Sequence, residues 1–295
     1  MTPSFISQPE TIQEILVNAT RALGATLPWR DARLQAELLL AHALASSRAH
    51  VLARLTDPLA PASAVQYAAL VARRTQNEPL AYILGHQEFY GLDFSVDRRV
   101  LIPRHETETL AQLALDYARQ LASPVIVDVG TGSGALALTL AHHLPHARII
   151  AGDISRDALA VARTNAQRLG LATRVEFIES DLLDGIGEPF DLLVANLPYI
   201  PRERLAQLPR EVFAFEPRLA LDGGDGGLIV FERLLAQLNA HANQGAVALC
   251  EISEEQGNAA LELVWRVLPQ TLTTVHRDLE GLERVLEITW RLEGK

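Results

Sequence analysis

The sequence of 295 residues contains a single cysteine, Cys250, so no disulfide can form within the chain. It has no run of 18 apolar residues, which excludes a membrane-spanning helix. The first ten residues, MTPSFISQPE, lack the basic start and the apolar stretch of a secretory signal peptide. We therefore expect a cytoplasmic protein without a membrane partner. No spacing of cysteine and histidine indicates a metal site.

Positive charge is also scarce. The chain has 26 Lys and Arg residues against 36 Asp and Glu residues, which gives a formal net charge of −10. Proteins that bind nucleic acids gain affinity from many Lys and Arg contacts to phosphates, so this balance argues against a stable nucleic-acid partner. Hydrophobic residues make up 48% of the chain and charged residues 21%, which is typical of a globular protein with a sizeable core.

The first part of the chain carries helical patterns only. Apolar residues recur at helical spacing over residues 9–24 and 31–45, and shorter helices are predicted over 49–55 and 63–74. We predict a helical bundle that forms a domain of residues 1–85. From residue 81 to 100 the period changes to two, with Gly91 at a turn, which predicts a β-hairpin. We predict that residues 86–103 form a hairpin linker to a second domain, residues 104–295.

Strands and helices alternate in the second domain. Strands are predicted over 125–129, 148–151, 175–178, 192–195 and 246–251, and helices over 134–143, 156–169, 228–242 and 254–267. This alternation predicts a parallel sheet with helices on both faces. The last two strands, 272–278 and 284–290, are joined by too few residues for a parallel crossover and must be antiparallel. The fold class is therefore α/β, and the arrangement resembles the Rossmann-like methyltransferases that use S-adenosylmethionine.

A glycine-rich loop follows the first strand of this sheet, with Gly130, Thr131, Gly132, Ser133 and Gly134 in sequence. Glycines at such a position allow a tight turn and let backbone N–H groups approach a ligand at a helix N-terminus. The spacing differs from the dinucleotide motif G-x-G-x-x-G, because residue 135 is alanine. The loop predicts a nucleoside-cofactor site.

Acidic residues flank this loop. Asp153 ends the next strand, nineteen residues beyond Gly134, where it can accept hydrogen bonds from ribose hydroxyls. Asp181 ends the following strand and can meet an adenine amino group. Asp128 lies two residues before Gly130 and would place a negative charge beside the ligand. We therefore expect cationic S-adenosylmethionine as the cofactor rather than NAD, which carries a pyrophosphate.

The strand over 192–195 ends in Asn196-Leu197-Pro198-Tyr199. Residues beyond the carboxyl ends of parallel strands line the ligand crevice, so Asn196 and Tyr199 are predicted to face the glycine loop. An Asn/Asp-Pro-Pro-Tyr tetrapeptide at this position is the signature of methyltransferases that modify planar NH2 groups, and this segment resembles it with Leu197 in place of proline. The Asn196 side-chain oxygen and the Leu197 carbonyl can accept the NH2 hydrogens, while Tyr199 packs on the planar group. Asn-Leu-Pro-Tyr also occurs in ribosomal RNA adenine dimethyltransferases, so the tetrapeptide alone leaves the substrate open.

Further segments resemble one family, the release-factor glutamine methyltransferases (PrmC/HemK). They are Pro-Leu-Ala-Tyr-Ile-Leu-Gly from residue 79, Pro-Arg-His-Glu-Thr-Glu from residue 103, where His105 replaces a proline, Phe-Glu-Pro-Arg-Leu from residue 215, and Gly-Gly-Asp-Gly-Gly-Leu from residue 223. The resemblance runs from about residue 10 to residue 292. It implies methyl transfer from S-adenosylmethionine to the glutamine side-chain nitrogen in the Gly-Gly-Gln motif of class I peptide-chain release factors.

The resemblance also implies roles for individual residues. The residues that would hold S-adenosylmethionine are Gly130, Thr131, Gly132, Ser133, Gly134, Asp153, Asp181, Leu182 and Asn196. Those that would hold the glutamine amide are Asn196, Leu197, Pro198 and Tyr199, with Asn196, Pro198 and Tyr199 as catalytic residues. The helical domain would dock the release factor.

Three alternatives remain open. A ribosomal-protein glutamine methyltransferase is disfavoured because members of that sister family lack the Pro-Arg-X-Glu-Thr-Glu segment. A nucleic-acid amino-methyltransferase is disfavoured by the charge of −10 and by the lack of a basic region with interspersed aromatic residues. A non-catalytic module that binds S-adenosylmethionine stays conceivable because of Leu197.

Overall fold

The structure is a computed structural model that describes residues 10–291. The start of the first predicted helix, Pro9, and the end of the family resemblance, residue 292, lie outside the described residues. The chain divides after Gly85 into two compact units. Within the described residues, no helix combines the length and the apolar character that a membrane crossing requires.

In the described part of the first unit, residues 10–85, the regular elements are all helices. Its helices are α1 (Ile12–Leu23), α2 (Trp29–Ala43), α3 (Arg48–Leu52), α4 (Pro61–Thr75) and α5 (Leu80–Leu84). Thr11 and Glu14 form a capping box that starts α1, since each side chain bonds the backbone N–H of the other residue. Leucine side chains from α1 and α2, such as Leu16 and Leu39, are fully buried in a common core.

The helix α5 differs from the prediction. The two-residue period predicted extended structure from residue 81, but Leu80–Leu84 is helical and ends at Gly85, which has a φ of 80°. A short apolar run fits either period, and here burial of Tyr82 and Ile83 favours the helix.

The second unit begins with an antiparallel hairpin, β1 (His86–Phe89) and β2 (Leu92–Ser95). Tyr90 and Gly91 form its turn, and both have positive φ. The sequence predicted this hairpin as a linker between domains. In the structure it belongs to the second unit, because Phe89 and Phe94 meet edge to face and are buried in the core of that unit.

Among the described residues, seven strands form the main sheet in the order β5-β4-β3-β6-β7-β9-β8. They are β3 (Val125–Val129), β4 (Arg148–Asp153), β5 (Val175–Glu179), β6 (Phe190–Ala195), β7 (Ala242–Glu251), β8 (Leu272–Arg277) and β9 (Glu283–Thr289). The pairs among β3 to β7 are parallel, whereas β9 pairs antiparallel with both β7 and β8. This confirms the predicted Rossmann-like sheet with an antiparallel C-terminal hairpin.

Helices cover both faces of this sheet. They are α6 (Glu108–Ala118), α7 (Ala135–His143), α8 (Arg156–Arg168), α10 (Ile229–His241) and α11 (Gly257–Val267), whereas the four-residue α9 (Arg210–Phe213) has no buried residue. Successive strand residues point to opposite faces, so Ile126 packs in one hydrophobic core with α6 and α7 while Val127 packs in another with α10 and α11. The span of α6 was not predicted.

The order of the strands positions the site. The chain runs outward from β3 through β4 to β5 and then returns to place β6 on the other side of β3. Ligands of open α/β sheets bind at such a switch point, beyond the carboxyl ends of the strands. Because Val129 is in register with Ala195, the next residues, Gly130 and Asn196, leave the sheet side by side.

Candidate active site

A cavity opens at the carboxyl ends of β3, β4 and β6. Its lining includes most of the residues predicted from the sequence: Gly130, Thr131, Gly132, Ser133, Asp153, Asp181, Leu182, Asn196, Leu197 and Pro198. Two predicted residues, Gly134 and Tyr199, are not part of this lining. The structure therefore brings the glycine loop and the start of the Asn-Leu-Pro-Tyr segment to one cavity.

The glycine loop is held mainly by hydrogen bonds to the end of β4. The N–H groups of Gly130 and Thr131 both donate to the Gly152 carbonyl at 2.9 Å, and the N–H of Gly134 donates to the Thr131 carbonyl at 2.8 Å. The N–H of Gly132 donates to Asp153 Oδ2 at 2.8 Å. These four N–H groups are thus engaged within the protein, so the prediction that the loop N–H groups are offered to a ligand is wrong for these four. The glycines are needed instead for positive φ, which is 76° at Gly130 and 84° at Gly134.

Asp128 has a structural role within the protein, whereas the sequence analysis expected it beside the ligand. Its Oδ2 accepts hydrogen bonds from Thr131 Oγ1 at 2.6 Å and from the Ala137 N–H at 3.2 Å, and the residue does not line the cavity. Complete burial raises the pKa of Asp128 to about 7, although the two hydrogen bonds oppose the shift. Its charge therefore does not explain a preference for a cationic ligand.

Asp153 lies between the glycine loop and the cavity. Its Oδ1 accepts from the Ser155 N–H at 2.8 Å, and its Oδ2 accepts from the Gly132 N–H. Burial raises the pKa of Asp153 above its usual range, and these two bonds oppose the shift. Each carboxylate oxygen can accept a second hydrogen bond, so the side chain can still serve ribose hydroxyls.

Asp181 and Leu182 form the adjoining wall. Asp181 makes an ion pair with Arg233 of α10, with 2.7 Å between Oδ2 and the guanidinium, and Arg233 also lines the cavity. Leu182 has a φ of 56°, a strained conformation for a leucine, and its carbonyl accepts from Ser180 Oγ at 2.8 Å. Such strain clusters at ligand sites. Sequence reasoning missed Arg233, because it lies within helix α10 and outside the motifs that were recognised.

Asn196 and Leu197 lie directly against the glycine loop. The Asn196 side-chain Nδ2 donates to Thr107 Oγ1 at 3.0 Å, which leaves the side-chain oxygen available as an acceptor. Leu197 is buried, and a Cβ built on Gly130 would lie 3.2 Å from Leu197 Cδ2. The leucine that replaces the family proline therefore packs on the first glycine of the loop.

Tyr199 is turned away from this cavity, so the prediction that it faces the glycine loop is wrong. Its hydroxyl donates to Glu251 Oε1 at 3.4 Å, and its carbonyl accepts from Gln256 Nε2 at 2.9 Å. With Glu251 and Cys250 it lines a separate, smaller cavity. Burial raises the pKa of the Tyr199 hydroxyl, and the neighbouring Glu251 adds to the shift.

The glycine-rich segment 223–227 clamps the backbone that follows Asn196. The Ile200 N–H donates to the Leu221 carbonyl at 3.1 Å, and the Gly223 N–H donates to the Ile200 carbonyl at 2.9 Å. A Cβ on Gly223 would lie 2.7 Å from the Pro198 carbonyl oxygen, and one on Gly227 would lie 2.3 Å from that of Tyr199. Glycine is required there because two backbone segments touch. The sequence showed this motif but not its role.

An ion pair joins two of the segments that carried the family resemblance. Arg104 pairs with the buried Glu216 carboxylate, which also accepts from the Ile102 N–H at 3.2 Å. Arg104 and Pro217 both line the cavity. The two segments, 112 residues apart in the chain at this pair, thus form one wall of the site.

One cluster of possible metal ligands lies away from the cavity lining. Within the described residues, Glu88, His105 and Glu108 place ligand atoms within 4.8 Å of one another. Glu88 and Glu108 already accept the backbone N–H groups of Gly91 and Tyr90. We therefore assign no metal to this cluster.

Comparison with known proteins shows to which family the chain belongs. The model of the PrmC N-terminal domain matches residues 14–85, and a methyltransferase domain model matches residues 126–215. The release factor glutamine methyltransferase of Moorella thermoacetica is 44% identical over 275 residues, which cover 93% of this chain and 96% of that protein. The chain belongs to the release factor glutamine methyltransferase family.

Other relatives are consistent with membership of this family. The release factor glutamine methyltransferase of Geobacter sulfurreducens is 39% identical, with 94% of this chain and 95% of that protein covered. A solved methyltransferase structure from Pyrococcus furiosus is similar with a TM-score of 0.51 and 16% identity, over 69% of this chain and 91% of that one. This likeness supports the methyltransferase fold. The recognition of the release factor glutamine methyltransferase family from sequence segments is confirmed.

Proposed function

We propose that this protein transfers a methyl group to the side-chain amide nitrogen of the glutamine in the Gly-Gly-Gln motif of class I peptide-chain release factors. The observation that carries the proposal is the register of β3 and β6, which sets Asn196 beside the glycine loop in one cavity. The names of the relatives, release factor glutamine methyltransferases, supply the substrate class.

The residues of the cavity fit S-adenosylmethionine, which supplies an electrophilic methyl group when it is bound. Asp153 keeps acceptor capacity for ribose hydroxyls, and Asp181 with Arg233 offers polar partners to the base. The lining also includes apolar surface from Leu182 and Leu136. In this proposal the glycine loop shapes the pocket through its turn, and the N–H groups of Gly130, Thr131, Gly132 and Gly134 stay engaged within the protein.

The amide nitrogen of glutamine is a poor nucleophile because its lone pair is delocalised. The Asn196 side-chain oxygen and the Leu197 carbonyl would accept its two hydrogens, which orients the nitrogen and stabilises the positive charge that develops on it. No general base is needed, because the methylated product can lose its proton afterwards. Tyr199 supports this segment from behind rather than packing on the amide.

The remaining parts of the proposal concern partners. The helical unit docks the body of the release factor, and the net charge of −10 disfavours a nucleic-acid partner. Since release factors act on ribosomes, the proposal places the enzyme in the cytoplasm.

A methyl-transfer assay tests the function. Purified protein is incubated with labelled S-adenosylmethionine and a purified class I release factor, and the Gly-Gly-Gln peptide is analysed by mass spectrometry. We expect a gain of one methyl group on the glutamine, absent from a release factor in which this glutamine is alanine. Bound cofactor without transfer to the factor would contradict the proposal and direct the search to other planar NH2 substrates, beginning with ribosomal fractions.

A further inference from the structure

A fully buried asparagine of α8, Asn165, connects the glycine loop to the hairpin. Its side-chain Oδ1 accepts from the Ser95 N–H at 2.7 Å. Its Nδ2 donates to the Ser95 carbonyl at 3.0 Å and to the Ser133 carbonyl at 2.9 Å. Ser95 ends β2, and Ser133 belongs to the glycine loop, so one side chain holds two separate segments. The function proposed above gives Asn165 no role.

The three partners fix both the residue type and the orientation of the amide. An asparagine amide has an oxygen that accepts and an NH2 group with two protons to donate. The Ser95 N–H can only donate, and the two carbonyls can only accept. Turning the amide over would place its oxygen against two carbonyl oxygens. Both amide protons are used, and an ionised aspartate or a leucine at this position would supply no donor.

The Ser133 carbonyl depends on this side chain. In a regular helix a carbonyl accepts from the N–H four residues further along, which here is the N–H of Ala137. The Ala137 N–H instead donates to Asp128 Oδ2 at 3.2 Å. Within residues 10–291, Asn165 Nδ2 is the direct hydrogen-bond donor that remains for this carbonyl. Ser133 is buried, and a buried carbonyl without a partner is costly, so the loop conformation needs Asn165.

The asparagine thereby fixes a part of the loop that faces the cavity. The N–H of Gly134 donates to the Thr131 carbonyl at 2.8 Å, so both polar groups of the peptide between Ser133 and Gly134 are engaged. Since a peptide unit is planar, these two bonds set its direction. Ser133 lines the cavity and Asn165 does not. Asn165 can therefore act on a ligand only through the loop.

We propose that Asn165 is a positioning residue that holds the glycine loop in the conformation that binds S-adenosylmethionine. This inference rests on the proposed function for the identity of the cofactor, and it extends the cofactor site to a residue outside the cavity. Without the bond to Ser133 the loop populates other conformations as well. The apparent Kd of the cofactor then rises in proportion as the fraction of binding-competent protein falls.

Titration calorimetry with S-adenosylmethionine tests this role in three variants. Asn165→Asp keeps the shape and the acceptor for Ser95 but removes the donors, and Asn165→Ser is too short to span the same partners. Arg168→Met is the matched control, because Arg168 of the same helix bonds Asp93 and Ser95 of the hairpin but not the loop. We expect the Kd to rise by about 5-fold to 10-fold in both Asn165 variants, which corresponds to one hydrogen bond, and to stay within about twofold in Arg168→Met.

Kinetics separate this role from a general loss of stability. Saturating S-adenosylmethionine draws the loop into its binding conformation, so kcat should stay close to that of the wild type while KM for the cofactor rises. A merely structural role would lower the folded fraction, and therefore kcat, with KM unchanged. A wild-type Kd in either folded Asn165 variant, or an equal rise of the Kd in Arg168→Met, would overturn the inference.

A second measurement reports on the Ser133 carbonyl itself and is independent of methyl transfer. The sequence contains one Ser-Gly dipeptide, Ser133-Gly134, so protein labelled with ¹³C-carbonyl serine and ¹⁵N-glycine gives a single carbonyl–amide correlation in NMR spectra. Asn165→Asp should shift this signal, and Arg168→Met should not. An unchanged signal in Asn165→Asp would refute the inference even if the wild type methylates its release factor. A shift together with the expected rise in Kd would support it even if no release factor is methylated.

Discussion

At the scale of single residues, Asn196 and Asp153 line one cavity but serve different ligands. Asn196→Ala removes an acceptor for the substrate amide, so we expect kcat to fall by roughly 10²–10³ while the Kd of S-adenosylmethionine changes little. Asp153→Ala removes the acceptor for ribose and the partner of the Gly132 N–H, so cofactor affinity should fall. Steady-state kinetics and titration calorimetry separate the two effects.

Each of these variants is the control for the other. Two outcomes would contradict these roles. One is a loss of cofactor affinity in Asn196→Ala, and the other is a lower kcat at saturating cofactor, with unchanged cofactor affinity, in Asp153→Ala. Circular dichroism spectra show whether either variant has lost its fold.

Asp128 links the glycine loop to the pH dependence of stability. Its pKa is raised in the folded protein to about 7, from an ordinary value of about 4, so the folded state holds the proton more tightly. Stability from this group is present below pH 4 and is lost as the pH rises to 7. Relative to the wild type, Asp128→Asn should gain roughly 2 kcal/mol in free energy of unfolding between pH 5 and pH 8.

Urea unfolding at the two pH values measures this difference. Asp116→Asn is the matched control, because the Asp116 side chain is 57% exposed on α6. If the free energy of unfolding, relative to the wild type, rises with pH by the same amount in both variants, burial of Asp128 is not the cause of the rise.

The sequence predicted which strand-ending residues lie at the site, but it did not predict the direction of every side chain there. Asp153 and Asn196 follow apolar strands of clear pattern, and the carboxyl ends of parallel strands meet at one edge. The predicted orientation of Tyr199 was wrong, because its hydroxyl donates to Glu251, 52 residues further along the chain, rather than facing the cavity. Such a contact depends on the packed structure rather than on local spacing.

At the scale of elements, the clamp of segment 223–227 on residues 198–200 suggests a matched pair of variants. Gly226 and Gly227 both have positive φ, at 67° and 83°. A Cβ on Gly226 meets nothing within 4 Å, whereas one on Gly227 would lie 2.3 Å from the Tyr199 carbonyl oxygen. An alanine at residue 226 and one at residue 227 would therefore have similar backbone strain, and only the alanine at residue 227 would collide with the Tyr199 carbonyl.

We expect Gly227→Ala to lower kcat by at least about tenfold, because it displaces the backbone that carries Pro198 and Tyr199. Gly226→Ala should keep most of the activity. Kinetics with the release factor and thermal unfolding of both proteins measure the difference. Equal losses in the two variants would indicate that backbone strain, not the clamp, explains the requirement for glycine.

Regular elements were predicted more completely than irregular ones. The strands of the sheet appear within a few residues of their predicted positions, because buried strands form distinct apolar runs. Residues 202–228 contain short 3₁₀ turns and the four-residue α9, and their course is set by contacts such as Arg202 N–H to the Gly224 carbonyl at 3.0 Å. No periodic pattern encodes such a path.

At the scale of the whole molecule, a helical unit precedes the methyltransferase unit. If the helical unit docks the release factor, contacts remote from the glutamine should contribute to catalysis. A short peptide that contains Gly-Gly-Gln should then be methylated with kcat/KM lower by at least about 100-fold than the intact factor. Competition kinetics with the two substrates measure this ratio.

The net charge supplies the control for that experiment. Excess duplex RNA should leave transfer to the intact factor unchanged, because a chain with a charge of −10 gains little from phosphate contacts. Equal kcat/KM for peptide and intact factor would contradict the docking role, and inhibition by RNA would contradict the expected partners.

The contact between Leu197 and Gly130 makes these two positions an epistatic pair. A φ of 76° at Gly130 is one that asparagine tolerates best after glycine, yet any Cβ there would press on Leu197 Cδ2 at 3.2 Å. A side chain at residue 130 would therefore require Leu197 Cδ2 to move by a few tenths of an ångström. A shorter side chain at residue 197 should lower the cost of a side chain at residue 130, so the effect of each substitution depends on the residue at the other position.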